Sequence, residues 1–220
     1  MKKIYLLLFV LGTTQLSFSQ TIQQVDSISN VFCEYLKTIN IKNDTLKLNT
    51  LYEQKFYPYL RSIAKEEVEK VGNKLYYRLQ RNCVEFRKLL DRLEPPKDGL
   101  TRITEKPVSE ITKKQLNAFK KQKEFYYYEA SGEKTIVIMK DGFWTDYFSD
   151  DTASKLTTKW IGNTEFELTF IESDNETRAN FSVKGDKYVY QVLAKKDNYY
   201  EMSVNIPGQI VFEKFKIYYK

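Results

Sequence analysis

The sequence contains no histidine. That removes Ser-His-Asp and Cys-His catalytic arrangements, HExxH zinc proteases and any histidine proton shuttle. Cysteine is nearly absent: Cys33 and Cys83 stand alone, too few for a zinc site of the usual Cys/His composition. No Gly-rich phosphate loop, dinucleotide fingerprint or Gly-x-Ser-x-Gly elbow occurs. EF-hand spacing is missing as well. No cofactor is therefore expected. One-signed charge is missing too. The 35 Lys and Arg are interspersed with 29 Asp and Glu for a net charge of +6. A nucleic-acid binder gathers its basic residues into one stripe, so no nucleic-acid partner is expected.

What is present begins with an address. Met1-Lys2-Lys3 is a short basic start, Ile4 to Leu11 is apolar apart from Tyr5, and Ser17-Phe18-Ser19 places small residues before Gln20. This is the pattern of a secretory signal peptide over residues 1–19. The apolar stretch is about eight to ten residues, and a transmembrane helix needs roughly twenty. No later segment is long and apolar enough, so the chain is not expected to span a membrane. No cysteine follows the apolar run, which argues against a lipid anchor there. Export is expected, to the periplasm, the outer surface or the medium. Loss of Lys2 and Lys3 would take the net charge from +6 to +4. Outside the cytoplasm Cys33 and Cys83 are either bridged, clipping two predicted helices together, or buried as small hydrophobic thiols. The sequence leaves both open.

The first half has helical periodicity. Ile22, Val25, Ile28, Phe32, Tyr35, Leu36 and Ile39 recur at three and four, predicting an amphipathic helix. Asn40 to Thr50 is polar and turn-like. Leu51, Phe56, Tyr59, Leu60 and Ile63 predict a shorter, less regular helix, with Pro58 marking a break or start near it. Val68, Val71, Leu75, Leu79, Cys83, Phe86, Leu90 and Leu93 predict one long helix, with Gly72 a weak spot or boundary. These stripes either bury one another in a bundle or dock a partner. Pro95-Pro96 ends the helix. Residues 95–123 are expected to be a linker with a short basic helix carrying Lys113, Lys114, Lys120, Lys121 and Lys123.

From Glu124 the period changes to two. In Glu165 to Ile171, Phe166, Leu168 and Phe170 alternate with Glu165, Glu167 and Thr169, the pattern of a strand with one buried face. Similar runs are Glu124–Glu129, Thr135–Met139, Phe143–Phe148, Leu156–Ile161, Arg178–Val183, Lys187–Val192, Tyr199–Val204 and Ile210–Tyr219. Asp141-Gly142 is a strong hairpin signal between two of them. The expected architecture is α+β: residues 20–94 helical, then residues 124–220 as an antiparallel sheet. That sheet curls or closes into a small barrel, lipocalin-like in outline, which would remove exposed edges. Trp160, Phe166, Leu168 and Phe170 are expected as its core.

Phe125-Tyr126-Tyr127-Tyr128, Lys134-Thr135-Ile136-Val137-Ile138, Thr145-Asp146-Tyr147, Lys159-Trp160-Ile161 and Glu165-Phe166-Glu167-Leu168 resemble the core of short secreted or lipid-anchored β-rich proteins of flavobacteria and relatives. Those proteins keep a strand-rich K-x-x-W-x…-[YF]-x-L core. Some carry a topoisomerase label that is implausible for so small an exported chain. The resemblance covers residues 124–220. It departs at Gly162-Asn163-Thr164, where those proteins often have Asn-Asp-Cys, and they lack the helical half. It implies a shared β core and no activity.

Two functions follow as expectations. One is a non-catalytic binding or structural protein of the bacterial envelope. Its partner would be an envelope protein, a glycan or a small apolar ligand. The other is an enzyme of unfamiliar type built on the carboxylates Asp141, Asp146, Asp150 and Asp151. No catalytic, ligand-binding or metal-ligating residue is assigned beyond these.

Overall fold

Residue spacing of three and four builds the first half from helices. The computed structural model describes residues 21–95, 100–129 and 131–219, so the signal-peptide segment lies outside the described residues. Helix α1 (Ile22–Thr38) starts in a capping box between Thr21 and Gln24. Helix α2 (Asp44–Leu51) follows, where polar composition had predicted a turn. Asn43 caps it by accepting from the Leu46 N–H. A cap residue reads as a turn residue until the helix behind it is seen. A π turn (Tyr52–Phe56) leads straight into α3 (Tyr57–Arg61), with Pro58 in its first turn.

The long periodic helix is two helices, α4 (Val68–Asn82) and α5 (Val84–Leu93), broken at Cys83. Gly72 lies inside α4 and marks no boundary. Cys83 is extended (φ −116°, ψ 102°) and its sulfur accepts from the Phe86 N–H, so it caps α5. A disulfide joins it to Cys33 of α1, with the Cα atoms 5.5 Å apart. That bond closes a loop of 50 residues, a constraint worth about 2–4 kcal/mol. Val25, Phe32, Leu36, Leu75, Leu79 and Phe86 bury one another in a single helical core. The helices thus use their stripes on themselves.

Period two builds the second half as a meander. Its strands are β1 (Thr101–Ile103), β2 (Glu124–Tyr128), β3 (Lys134–Lys140), β4 (Phe143–Tyr147), β5 (Ala153–Trp160), β6 (Glu165–Ser173), β7 (Lys187–Lys195), β8 (Tyr199–Asn205) and β9 (Phe212–Tyr219). Strands β2 to β9 are antiparallel neighbours in chain order. The β9–β2 pairs Phe125↔Tyr219 and Tyr126↔Tyr218 close them into an eight-stranded barrel. The β3–β4 hairpin turns through Asp141 (φ 52°) and Gly142 (φ 79°), the left-handed pair that a two-residue hairpin needs.

Two further stretches differ from the sequence reading. Residues 100–123 of the expected linker, its short helix included, are not a free join. Within them β1 pairs with β9, Glu110 N–H bonds to Leu193, and α6 (Lys113–Lys121) packs into one end of the barrel. Residues 178–183 are not a strand. Most of them belong to α7 (Glu176–Phe181), capped by Asn175, whose side chain accepts from the Arg178 N–H.

The two halves meet through charge. Arg78 of α4, 2% exposed, reaches Asp26 of α1 at 2.6 Å and Asp186 of the β6–β7 connection at 2.5 Å. It also donates to the Phe181 carbonyl. Two carboxylates and a carbonyl together compensate the burial of this charge, which a single partner would do less completely.

Candidate functional site

Alternation sends every second side chain of a barrel strand inward. At one end these are Phe125, Trp160, Phe166 and Tyr200. Phe119 of α6 sits among them, 5.0 to 6.3 Å between ring centroids. That end is filled. Phe166, Leu168 and Phe170 are buried and Trp160 is half-buried.

Toward the other end some inward rings still touch, as Trp144 and Tyr190 do at 5.6 Å between centroids, but the inward side chains no longer fill the space. A cavity of about 1130 Å³ remains, with Trp144, Leu156, Phe170, Tyr190 and Phe215 among its apolar walls. Its mouth faces the helical half, where Tyr76, Gln80, Arg87 and Leu90 line it, and α7 contributes Arg178 and Phe181. The lining is of the kind found in small-molecule sites, and the volume, which includes space beneath the helical half, lies somewhat above their usual span of about 300–1,000 Å³.

Polar groups converge inside. Asp146 of β4 points inward and is 8% exposed. Its Oδ1 accepts from Trp144 Nε1 at 2.8 Å. Among the described residues nothing donates to Oδ2. Arg178 Nη2 lies 2.5 Å from Glu129 Oε1, which also accepts from Thr135 Oγ1 at 3.0 Å. Burial pushes the Asp146 carboxyl up to about 6; Arg178 and Trp144 pull against that, and Glu129 adds to it. Burial, with Asp146 nearby, holds the Tyr127 and Tyr190 hydroxyls well above the usual tyrosine range. Arg178 resists its own burial because Tyr127, Glu129 and Asp146 surround it, so it stays charged.

Nearer the mouth the charges are paired. Arg87 Nη1 meets Glu213 Oε1 at 2.8 Å, and Arg102 Nε meets the same oxygen at 2.9 Å. Arg102 also pairs with Asp91, and Arg87 donates to Gln209. Glu94 and Lys216 complete the charged lining.

The four aspartates singled out in the sequence are not brought together. Asp141 is exposed at the β3–β4 turn, and Asp150 and Asp151 are exposed beyond the far end of β4. Asp150 is engaged by Thr152 and Asn175. Only Asp146 faces the cavity. Among the described residues, no three His, Cys, Asp or Glu side chains are grouped to hold a metal ion. The sequence reading missed Arg178, Glu129, Tyr127 and Tyr190. Parity held a usable signal: Asp146 follows Trp144 by two, so an acid shares the inward face with the tryptophan. For Arg178 the signal was Asn175-Glu176, a helix start that the strand reading overrode.

Fold and site together define a closed antiparallel barrel with an internal cavity, joined to a helical region. Compared with protein-family models, curated proteins and solved structures, the chain matches none.

Proposed function

We propose that this chain is an exported, non-catalytic binding protein whose barrel holds a small, mainly apolar molecule. The observation that carries this is the cavity itself. It is open at one end, walled by aromatic and aliphatic side chains, and furnished with a few convergent polar groups, the usual make-up of a small-molecule site. A filled barrel would have favoured a scaffold. Export rests on the pattern of residues 1–19. No helix among the described residues is long and apolar enough to cross a membrane, which suits a protein that carries or presents its ligand outside one.

The two tryptophans make the test simple. Trp144 lines the cavity and Trp160 lies at the filled end. In a Trp160→Phe protein the emission reports Trp144 alone. Neutral decanol should shift that emission saturably, and native mass spectrometry of protein from its original host should show a retained small molecule. No emission change and no retained molecule together would refute the reading.

A further inference from the structure

The charge inside the cavity is opposite in sign to that of the chain. Overall the sequence is at +6. Among the described residues the cavity is lined by four basic side chains and five carboxylates. The mouth accounts for Arg87, Arg102 and Lys216 against Asp91, Glu94 and Glu213. Deeper in, Arg178 already holds Glu129 at 2.5 Å. The carboxylate left over is Asp146, more than nine-tenths buried, with one oxygen free toward the cavity.

A buried carboxylate with an unfilled oxygen calls for a donor or a cation. The surfaces around it suit a cation as well. Trp144 and Tyr190 stand 5.6 Å apart between centroids at an interplanar angle of 45°, and Tyr127 is close enough to feel the Asp146 charge. Aromatic faces attract ammonium groups, most strongly where water is excluded. We propose that the cavity takes an amphiphilic cation, an ammonium or quaternary ammonium group on an apolar body, with Asp146 as its counter-ion. This rests on the reading of the cavity as a ligand site and adds the ligand's class. A fatty acid or other anionic lipid fits less well at the depth of Asp146, because the guanidinium there, Arg178, already pairs with Glu129, whereas the buried Arg87 Nε, which lacks a hydrogen-bond partner among the described residues, lies nearer the mouth.

The groups facing Asp146 set its pH behaviour. They are Tyr127 and Glu129 from β2 and the turn after it, Arg178 from α7, Tyr190 from β7 and Trp144 on its own strand. The two tyrosines stay neutral and Arg178 stays charged across the range of interest. With the Asp146 carboxyl at about 6, its ionised fraction falls roughly tenfold between pH 7.5 and pH 5. Affinity for a cation should fall with it.

Three probes with one chain length separate the possibilities: decyltrimethylammonium, decanoate and decanol, each below its micelle concentration. The mature chain would be titrated by calorimetry and by Trp144 emission. At pH 7.5 the cation should bind at least tenfold more tightly than decanoate, and its affinity should drop about tenfold by pH 5. Asp146→Asn keeps the acceptor for Trp144. It should abolish both the preference and the pH dependence, with a saturable decanol response showing that the cavity is still formed. Glu129→Gln frees Arg178 to pair with Asp146, so it should weaken the cation and strengthen decanoate. Decanoate binding as well as the cation in the wild type, or a cation preference that survives Asp146→Asn, overturns the proposal while leaving a ligand cavity in place. If none of the three binds, the cavity is not a ligand site and both readings fall.

Discussion

Each end of the barrel is met by a short helix, and the two helices do opposite things. Helix α6 presents Leu116 and Phe119 to the strands, and the aromatic rings of four strands close around Phe119. Helix α7 presents Arg178 and Phe181, and the space beneath them stays open. The strands change character to match. Inward positions near α6 are Phe125, Trp160 and Phe166; near α7 they are Tyr127, Asp146 and Ser154. One set of strands thus carries a core at one end and a site at the other. What each helix inserts, and how many polar inward side chains keep water in reach, decides which.

The sharpest way to break this contrast is to truncate both inserted phenylalanines. Phe119→Ala removes a fully buried ring and should cost about 3–5 kcal/mol. Phe181→Ala removes a half-buried one beside an existing space and should cost roughly 1–2 kcal/mol. Urea midpoints give both values. Equal costs would mean that the α7 end is packed as tightly as the α6 end.

The next effect has the opposite sign. Asp146 in the folded protein sits at about 6 against an ordinary 3.8. A carboxyl raised on folding is best tolerated where it is protonated, below about pH 4, and destabilises increasingly as pH rises through about 6. Asp146→Asn should therefore stabilise the protein by roughly 3 kcal/mol at pH 8, at 1.36 kcal/mol per unit. The gain should shrink to nothing near pH 4. Urea midpoints taken across pH would show it, and a gain that is flat with pH would contradict the assignment.

Smaller effects mark the two rims. Lys120 Nζ stands 3.9 Å above the Trp160 ring at the filled end. Lys120→Ala should lower stability by about 0.5–1 kcal/mol, seen as a small drop in Tm. At the open end the Tyr190 hydroxyl has no hydrogen-bond partner among the described residues. Tyr190→Phe should change stability by less than about 0.5 kcal/mol, and a larger loss would reveal a hidden partner.

Legibility followed the same division. The inward face was readable because Phe166, Leu168 and Phe170 alternate with polar residues, and alternation is a local signal, though it did not tell that Phe166 lies at the filled end and Phe170 on the cavity wall. Closure of the sheet was readable in outline from the number of short aromatic strands and tight turns. The open end was not. Asp146 was noticed as one of four clustered aspartates, and sequence proximity placed it with Asp141, Asp150 and Asp151. In the barrel only Asp146 lies within β4 and points inward, whereas Asp141 sits in the turn before that strand and Asp150 and Asp151 lie beyond its end. Arg178 and Glu129 are far apart in the chain and meet only because α7 folds back over the strand ends. The break at Cys83 escaped notice because the apolar stripe runs through it unchanged.

Residue by residue, the sequence determined the periods, the caps and turns, and which residue types were available for chemistry. It excluded histidine-based catalysis outright and set the α+β order. Only the tertiary structure decided that β1 and α6 belong to the barrel, that one end is filled, and that a carboxylate without a basic partner of its own among the described residues faces a cavity at the other. The reason is physical. Periodicity and capping act over a few residues, whereas the size of an internal space and the pairing of buried charges depend on side chains brought together from β2, β4, β7, β9 and α7.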